Sequence, residues 1–314
     1  MKIKGLVCPD VQIRHSDNNF GLVGRDNLSL TVYPALEQST DSLVVWKLPK
    51  WDAAGGLCGS VDGVKACNHH KEDYVFLYHR CFKPECPVCY KAWVNREAER
   101  VVERLKSAEK LYNGRLGVIK HFVVSPPQEW AVKLMNDKDG FKVLKAKCIK
   151  LLKKSGLFGG CVIFHSHRKD GLVWFYSPHF HIVGYGCLIN SDIFYEKSGG
   201  WIYKNKGVRK SVFGTVSYLL THCGLGYNSD GVRVFHCVVW FGCLSYNKIV
   251  IESETKVLVP ELCSKCKEPL HRFVSCYYGG SDVDTYKDFD SWEDMGIYVH
   301  IKRVRRYRLR GGYG

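Results

Sequence analysis

Ser177-Pro178-His179-Phe180-His181-Ile182-Val183-Gly184-Tyr185-Gly186 is the stretch on which the reading of this chain turns. Its β-branched and aromatic residues predict a strand. On a strand, side chains two apart share a face, so His179 and His181 point one way while Phe180 points into the core behind them. Two imidazoles a few ångströms apart can share a divalent cation and leave its other positions open to substrate oxygens. A second such pair, His165 and His167, lies just upstream.

Working outward, Val118 to Val124 reads as another strand, closed by Ser125-Pro126-Pro127. Phe141 to Lys154 carries Leu144, Cys148, Leu151 and Leu152 at helical spacing and stops at Gly156. Cys161 to Phe164 and Val173 to Tyr176 predict a hairpin turning at Lys169-Asp170-Gly171. Val212 to His222 predicts a helix stopped by Gly224, and residues 234–252 return to a β pattern. On that helix Tyr218 and His222 stand at i, i+4, hence on one face. Upstream, Lys91 to Tyr112 forms an amphipathic helix. Val94, Ala98, Val101, Leu105 and Ala108 make its apolar stripe, with Arg96, Arg100 and Arg104 among its cations. Leu28 to Tyr33 and Leu43 to Leu48 are short strand-like pieces. The fold class expected is α+β: a central antiparallel sheet with helices packed on it, a zinc-stabilised N-terminal segment and a small C-terminal extension. Four segments follow, 1–57, 58–112, 113–252 and 253–314.

The charge balance points to the partner. Among 314 residues, 46 Lys and Arg face 31 Asp and Glu, a formal charge of +15. A field of that sign concentrates polyanions, so nucleic acid leads as partner and an anionic membrane surface comes second. No apolar run reaches the ~20 residues of a membrane span, and no secretory signal is apparent at Met1, so a cytoplasmic protein is expected. Its 15 cysteines then read as thiols and metal ligands. Cys81-x4-Cys86-x2-Cys89 is a knuckle that predicts structural Zn²⁺. Cys67 is the preferred fourth ligand, with Cys58, His69, His70 and His79 as substitutes. Such a site would brace the basic helix against DNA phosphates. Cys263-x2-Cys266-x4-His271-x4-Cys276 is a candidate second zinc set with the spacing of a knuckle. The tail, with Lys302, Arg303, Arg305, Arg306 and Arg308 alternating with apolar residues and Tyr307, suits a strand touching phosphates and stacked bases.

In the order strand, His-hydrophobe-His, then tyrosine on a helix, the chain resembles the HUH endonucleases, and most of all the rolling-circle replication initiators of archaeal plasmids and viruses. Residues 177–186 look like their histidine motif. His121-Phe122-Val123-Val124-Ser125-Pro126-Pro127 stands where their first motif lies, and Cys86-Pro87-Val88-Cys89-Tyr90-Lys91-Ala92-Trp93 is also similar. The resemblance covers about residues 58–250. It implies a ferredoxin- or RRM-like sheet, Tyr218 as nucleophile, Mn²⁺ or Mg²⁺ on His179 and His181, and nicking and rejoining of single-stranded origin DNA through a 5′-phosphotyrosine. For the third ligand, His222 is the first choice, by analogy with single-strand transposases, and His165 the alternative. One tyrosine and no P-loop imply that a host helicase and polymerase complete replication. The alternatives are a non-catalytic zinc-containing DNA-binding protein, a single-strand transposase or relaxase, and an RNA-binding protein using the C-terminal cysteines.

Overall fold

The computed structural model describes residues 42–275 and 292–310. The strand expected at Leu28 to Tyr33 and the candidate ligand Cys276 lie outside them. In chain order the elements are β1 (Val45–Lys47), β2 (Val61–Cys67), β3 (His70–Tyr78), α1 (Tyr90–Leu111), β4 (Ile119–Ser125), α2 (Gln128–Met135), α3 (Lys138–Lys154), β5 (Leu157–Asp170), β6 (Val173–Gly186), α4 (Ser191–Ser198), β7 (Ile202–Val208), α5 (Val212–Leu220), β8 (Leu225–Tyr227), β9 (Val238–Gly242), β10 (Ile249–Pro260), β11 (His271–Ser275), β12 (Trp292–Ile297) and β13 (Val299–Leu309). The architecture is α+β and its strand pairs are antiparallel.

A five-stranded sheet of order β7-β4-β6-β5-β9 forms the centre. Its two faces bury different cores, as period-two alternation requires. Cys161, Ile163, Val183 and Tyr185 pack under α1 and α5, against Leu105, Val216 and Leu219. Phe122, Val162, Phe164, Phe180 and Ile182 face the other way, into Phe141, Leu144, Cys148 and Leu152 of α3. Gly160 and Gly184 oppose each other across β5 and β6. A Cβ on Gly184 would sit 2.3 Å from the Gly159 carbonyl oxygen, so the register is held by bare backbone there. Helix starts are capped by side chains: Asp137 accepts from Gly140 N for α3, and Ser211 accepts from Gly214 N for α5.

Residues 1–57 carry no expected role; their described part, 42–57, joins the sheet domain. β1 pairs with β8, and the Trp46 ring forms a triangle with Phe141 and Phe164, its centroid 4.6 Å from each, with its Nε1 donating to the Met135 carbonyl. Gly224 does not cap α5, which ends at Leu220. Glycine is needed there because a Cβ would press within 3.0–3.1 Å of Trp46, Phe164 and Ser166. The described parts of 253–314, expected as a small extension, pair with earlier strands. β11 joins β2 in a four-stranded sheet of order β12-β11-β2-β3, and β13 pairs along β10. No described helix is long and apolar enough to cross a membrane.

Candidate active site

The sheet face under α5 carries a group of imidazoles. His165 on β5 and His179 on β6 are directly paired across the strands, and His181 follows two residues along the same face. Ring centroids are 4.2 Å apart for His165 and His181, 5.0 Å for His179 and His181, and 5.2 Å for His165 and His179. One nitrogen from each ring lies within 4.8 Å of the other two. All three are buried, at 1%, 5% and 9% exposure. Burial, reinforced by Arg168, drives His179 down to about 3, and burial with the crowding of neighbouring imidazoles holds His165 and His181 well below the usual imidazole value. All three are therefore neutral near pH 7, the form that binds a metal.

Their hydrogen bonds say which nitrogen is free. The Ser177 carbonyl can only accept, so the proton of His179 lies on Nδ1, 2.6 Å from that oxygen, and Nε2 is left with its lone pair. His181 Nδ1 faces His121 Nε2 at 2.9 Å; in the tautomer where His181 Nδ1 donates and His121 Nε2 accepts, His181 Nε2 keeps its lone pair. Neither ring nitrogen of His165 completes a hydrogen bond, although the Leu219 carbonyl approaches it. A buried imidazole so left is costly unless something else meets it. A cation between the three rings fits that requirement, and the donor set suits one.

Tyr218 stands in the last turn of α5, 67% exposed. His222, just beyond the helix, is wedged between Tyr218 and His165, with ring centroids 4.7 Å and 4.5 Å away. Its Nδ1 contacts the Thr221 hydroxyl. The three-imidazole group contains His165 and not His222. Cross-strand pairing places His165, the alternative third ligand, within the group, while His222, the first choice, touches it from beyond the helix end. His167, past a bulge in β5, stacks on Tyr176 outside the group. Beyond these rings the β5–β6 hairpin runs on as an exposed arm bearing Leu172, Val173, Trp174, Phe175 and Tyr176. His121 was missed as a partner of this site. Its signal was a polar ring in the apolar strand Ile119–Ser125.

Sulfur ligands gather in two further places. Cys58, Cys81, Cys86 and Cys89 form one group, so Cys58 stands where Cys67 was preferred. Cys67 ends β2 at a hairpin tip directed elsewhere. Burial opposes the Cys86 thiolate, but the backbone amides of Cys89 and Val88 at the start of α1 outweigh it and bring the thiol down to about 7. His79 pairs with Asp62. The second group is Cys67, His70, Cys263 and Cys266. His271 is not in it: β11 turns its ring toward Asp294, Nδ1 to carboxylate 2.8 Å.

The basic residues divide by face. Arg96, Arg100 and Arg104 of α1 and Arg303 and Arg305 of β13 line one cavity of about 870 Å³ with Trp51, Phe82 and Tyr246. Arg104 is buried and spends its donors on the carbonyls of Leu244, Ser245 and Ile249, so its role is structural and the expectation of DNA contact fails there. Arg305 is held by Glu254 and Glu103. Lys302, Arg306 and Arg308 alternate onto the outer face of β13, exposed. The wall residue Cys237 meets the thiol of Cys223, next to His222. Comparison with known proteins yields no match: no family model, no curated protein and no solved structure matches the chain.

Proposed function

We propose that the protein nicks and rejoins single-stranded DNA, as a rolling-circle replication initiator does, with Tyr218 as nucleophile. The observation that carries this reading is one convergence. An exposed tyrosine, brought by α5, stands one imidazole away from three buried neutral histidines on the adjoining sheet face. A phenol is a weak nucleophile near neutrality, with an ordinary pKa of about 10, and needs a polarised electrophile beside it. His165, His179 and His181 would hold the divalent ion, which supplies Lewis acidity toward the non-bridging oxygens of the scissile phosphate. Three nitrogen donors without a carboxylate favour Mn²⁺ over Mg²⁺, whose preference is for oxygen.

In the nicking step Tyr218 Oη bonds to phosphorus and the bond from phosphorus to the 3′ oxygen breaks. The phenol gives up its proton and the departing 3′ oxygen takes one, leaving a free 3′-OH and a 5′ end on Tyr218. Rejoining is the reverse and needs no ATP, because the phosphotyrosine keeps the bond energy. The exposed aromatic arm, with Arg168 and Lys169 paired across it to Phe175 and Trp174, offers stacking surface and charge to a flanking single strand. The cavity between α1 and β13 offers the same chemistry on a second wall.

The test is a covalent adduct. Wild-type protein with Mn²⁺ and circular single-stranded DNA should give a species that survives denaturing electrophoresis. Tyr218→Phe and His165→Ala should give none. An adduct of undiminished yield in Tyr218→Phe, or none in the wild type, sinks this reading. DNA binding without any adduct would leave the non-catalytic alternative.

A further inference from the structure

We propose that Cys67, His70, Cys263 and Cys266 bind a structural Zn²⁺ that closes a zinc ribbon split across the chain, with the five-stranded sheet domain inserted between its halves. The inference does not rest on the nicking activity.

The ligand geometry is close to what a tetrahedral ion needs. Zinc takes sulfur at about 2.3 Å and nitrogen at about 2.0 Å, so tetrahedral edges are about 3.8 Å between sulfurs and about 3.5 Å between sulfur and nitrogen. Cys67 Sγ lies 3.4 Å from Cys266 Sγ, and Cys263 Sγ lies 3.7 Å from His70 Nδ1. All four ligand atoms lie within 4.8 Å of one another. A disulfide requires about 2.05 Å, so the Cys67 and Cys266 thiols stand at ligand spacing and not at bonding distance.

Both pairs sit in turns built for such a site. Cys67 and His70 flank a two-residue hairpin between β2 and β3 and are paired across it. The second pair is a tight loop in which Lys267 N donates to the Cys263 carbonyl and Cys263 N to the Glu268 carbonyl. The amides of Cys266 and Lys265 face the Cys263 thiol. Lys267 adopts φ +65°, a left-handed conformation unusual outside glycine, which turns the chain back under the two thiols. Each half thus offers two ligands at a spacing of three residues, and one strand of each half, β2 and β11, pairs with the other.

The unit also needs a staple. Among the described residues its buried apolar side chains are Val64, Ala66, Phe273 and Trp292, with Tyr74 and Phe76 partly buried beside them, a small core for four strands. The ion pairs Lys65–Glu261 and Arg272–Asp62 tie the same two segments but are partly solvent-exposed. A Zn²⁺ is the remaining cross-link that the ligand set can supply.

Full-length protein carrying His165→Ala, which takes the imidazole site out of the count, should retain two zinc ions per chain after gel filtration. Adding Cys67→Ser or His70→Ala should lower the count to one. Adding His271→Ala or Cys276→Ser should leave it at two. Because Cys67→Ser could simply unfold, His70→Cys serves as the conservative swap: it should keep two ions and shift the Co²⁺-substituted spectrum toward four thiolates. An unchanged zinc count in Cys67→Ser, a spectrum unmoved by His70→Cys, or a mass 2 Da low that shows a Cys67–Cys266 disulfide would each overturn the proposal.

Discussion

His121 Nε2 lies 2.9 Å from His181 Nδ1, an imidazole pair buried on the face shared by β4 and β6. The bond orients the His181 ring, and with His181 Nδ1 as donor it leaves Nε2 with its lone pair, in a ring that groups with His165 and His179. Removing such an outer partner typically weakens a metal site by about 10- to 100-fold. His121→Ala should therefore weaken Mn²⁺ binding by that order, as read by calorimetric titration, while the zinc count stays unchanged. Unaltered Mn²⁺ affinity would mean the pair is packing only.

The third ligand can be decided by comparing His165→Ala with His222→Ala. His165 belongs to the three-ring group, and His222 touches it from the tyrosine side. Mn²⁺ binding should vanish in His165→Ala and persist in His222→Ala. Electron paramagnetic resonance of added Mn²⁺ reads this directly, and the opposite pattern would restore His222 as ligand.

Metal-free protein should lose stability in mild acid. Burial lowers His121 to about 4 and His179 to about 3, from an ordinary 6.5, and lowers His165, His181 and His222 as well. Below pH 6.5 the unfolded chain takes up protons that the native rings refuse. Native stability is thus greatest above 6.5 and falls as pH drops from there toward 3. Urea midpoints at pH 7.5, 6.0 and 5.0 should decline in that order, less steeply in His121→Ala. A flat profile would show that the rings are not shielded.

Arg100 and Arg104 should part company. Arg100 is half-buried beside Glu97, whereas Arg104 is bonded to three carbonyls in the core. Arg100→Ala should weaken single-strand binding and reduce its salt slope by about one unit, without moving the melting temperature. Arg104→Ala strands those carbonyls and should cost at least about 2 kcal/mol of stability. Equal thermal effects of the two would refute the division.

Local pattern made much of the central sheet legible. The period-two alternation around His179 and the helical stripes of Lys91 to Tyr112 and Phe141 to Lys154 correspond to β6, α1 and α3. What could not be read was pairing across long separations. Cys67 and Cys58 both precede the Cys81 knuckle, and spacing alone cannot say which closes it; the β2–β3 hairpin decides by carrying Cys67 away. His165 was ranked behind His222 because cross-strand register is invisible along the chain. The exposed runs of β7 and β12 carry little hydrophobic alternation, so neither announced itself.

The pairing of β2 with β11 also has a consequence during synthesis. Arg272 meets Asp62 across 210 residues, roughly 10–40 s of elongation at ordinary translation rates. Through that interval the hairpin bearing Cys67 has left the ribosome while its partner strand does not yet exist. The central sheet, complete at β9, can already close. The nascent chain therefore passes through a stage with its centre folded and its two outer arms unjoined, and a product truncated near Pro260 would be arrested there.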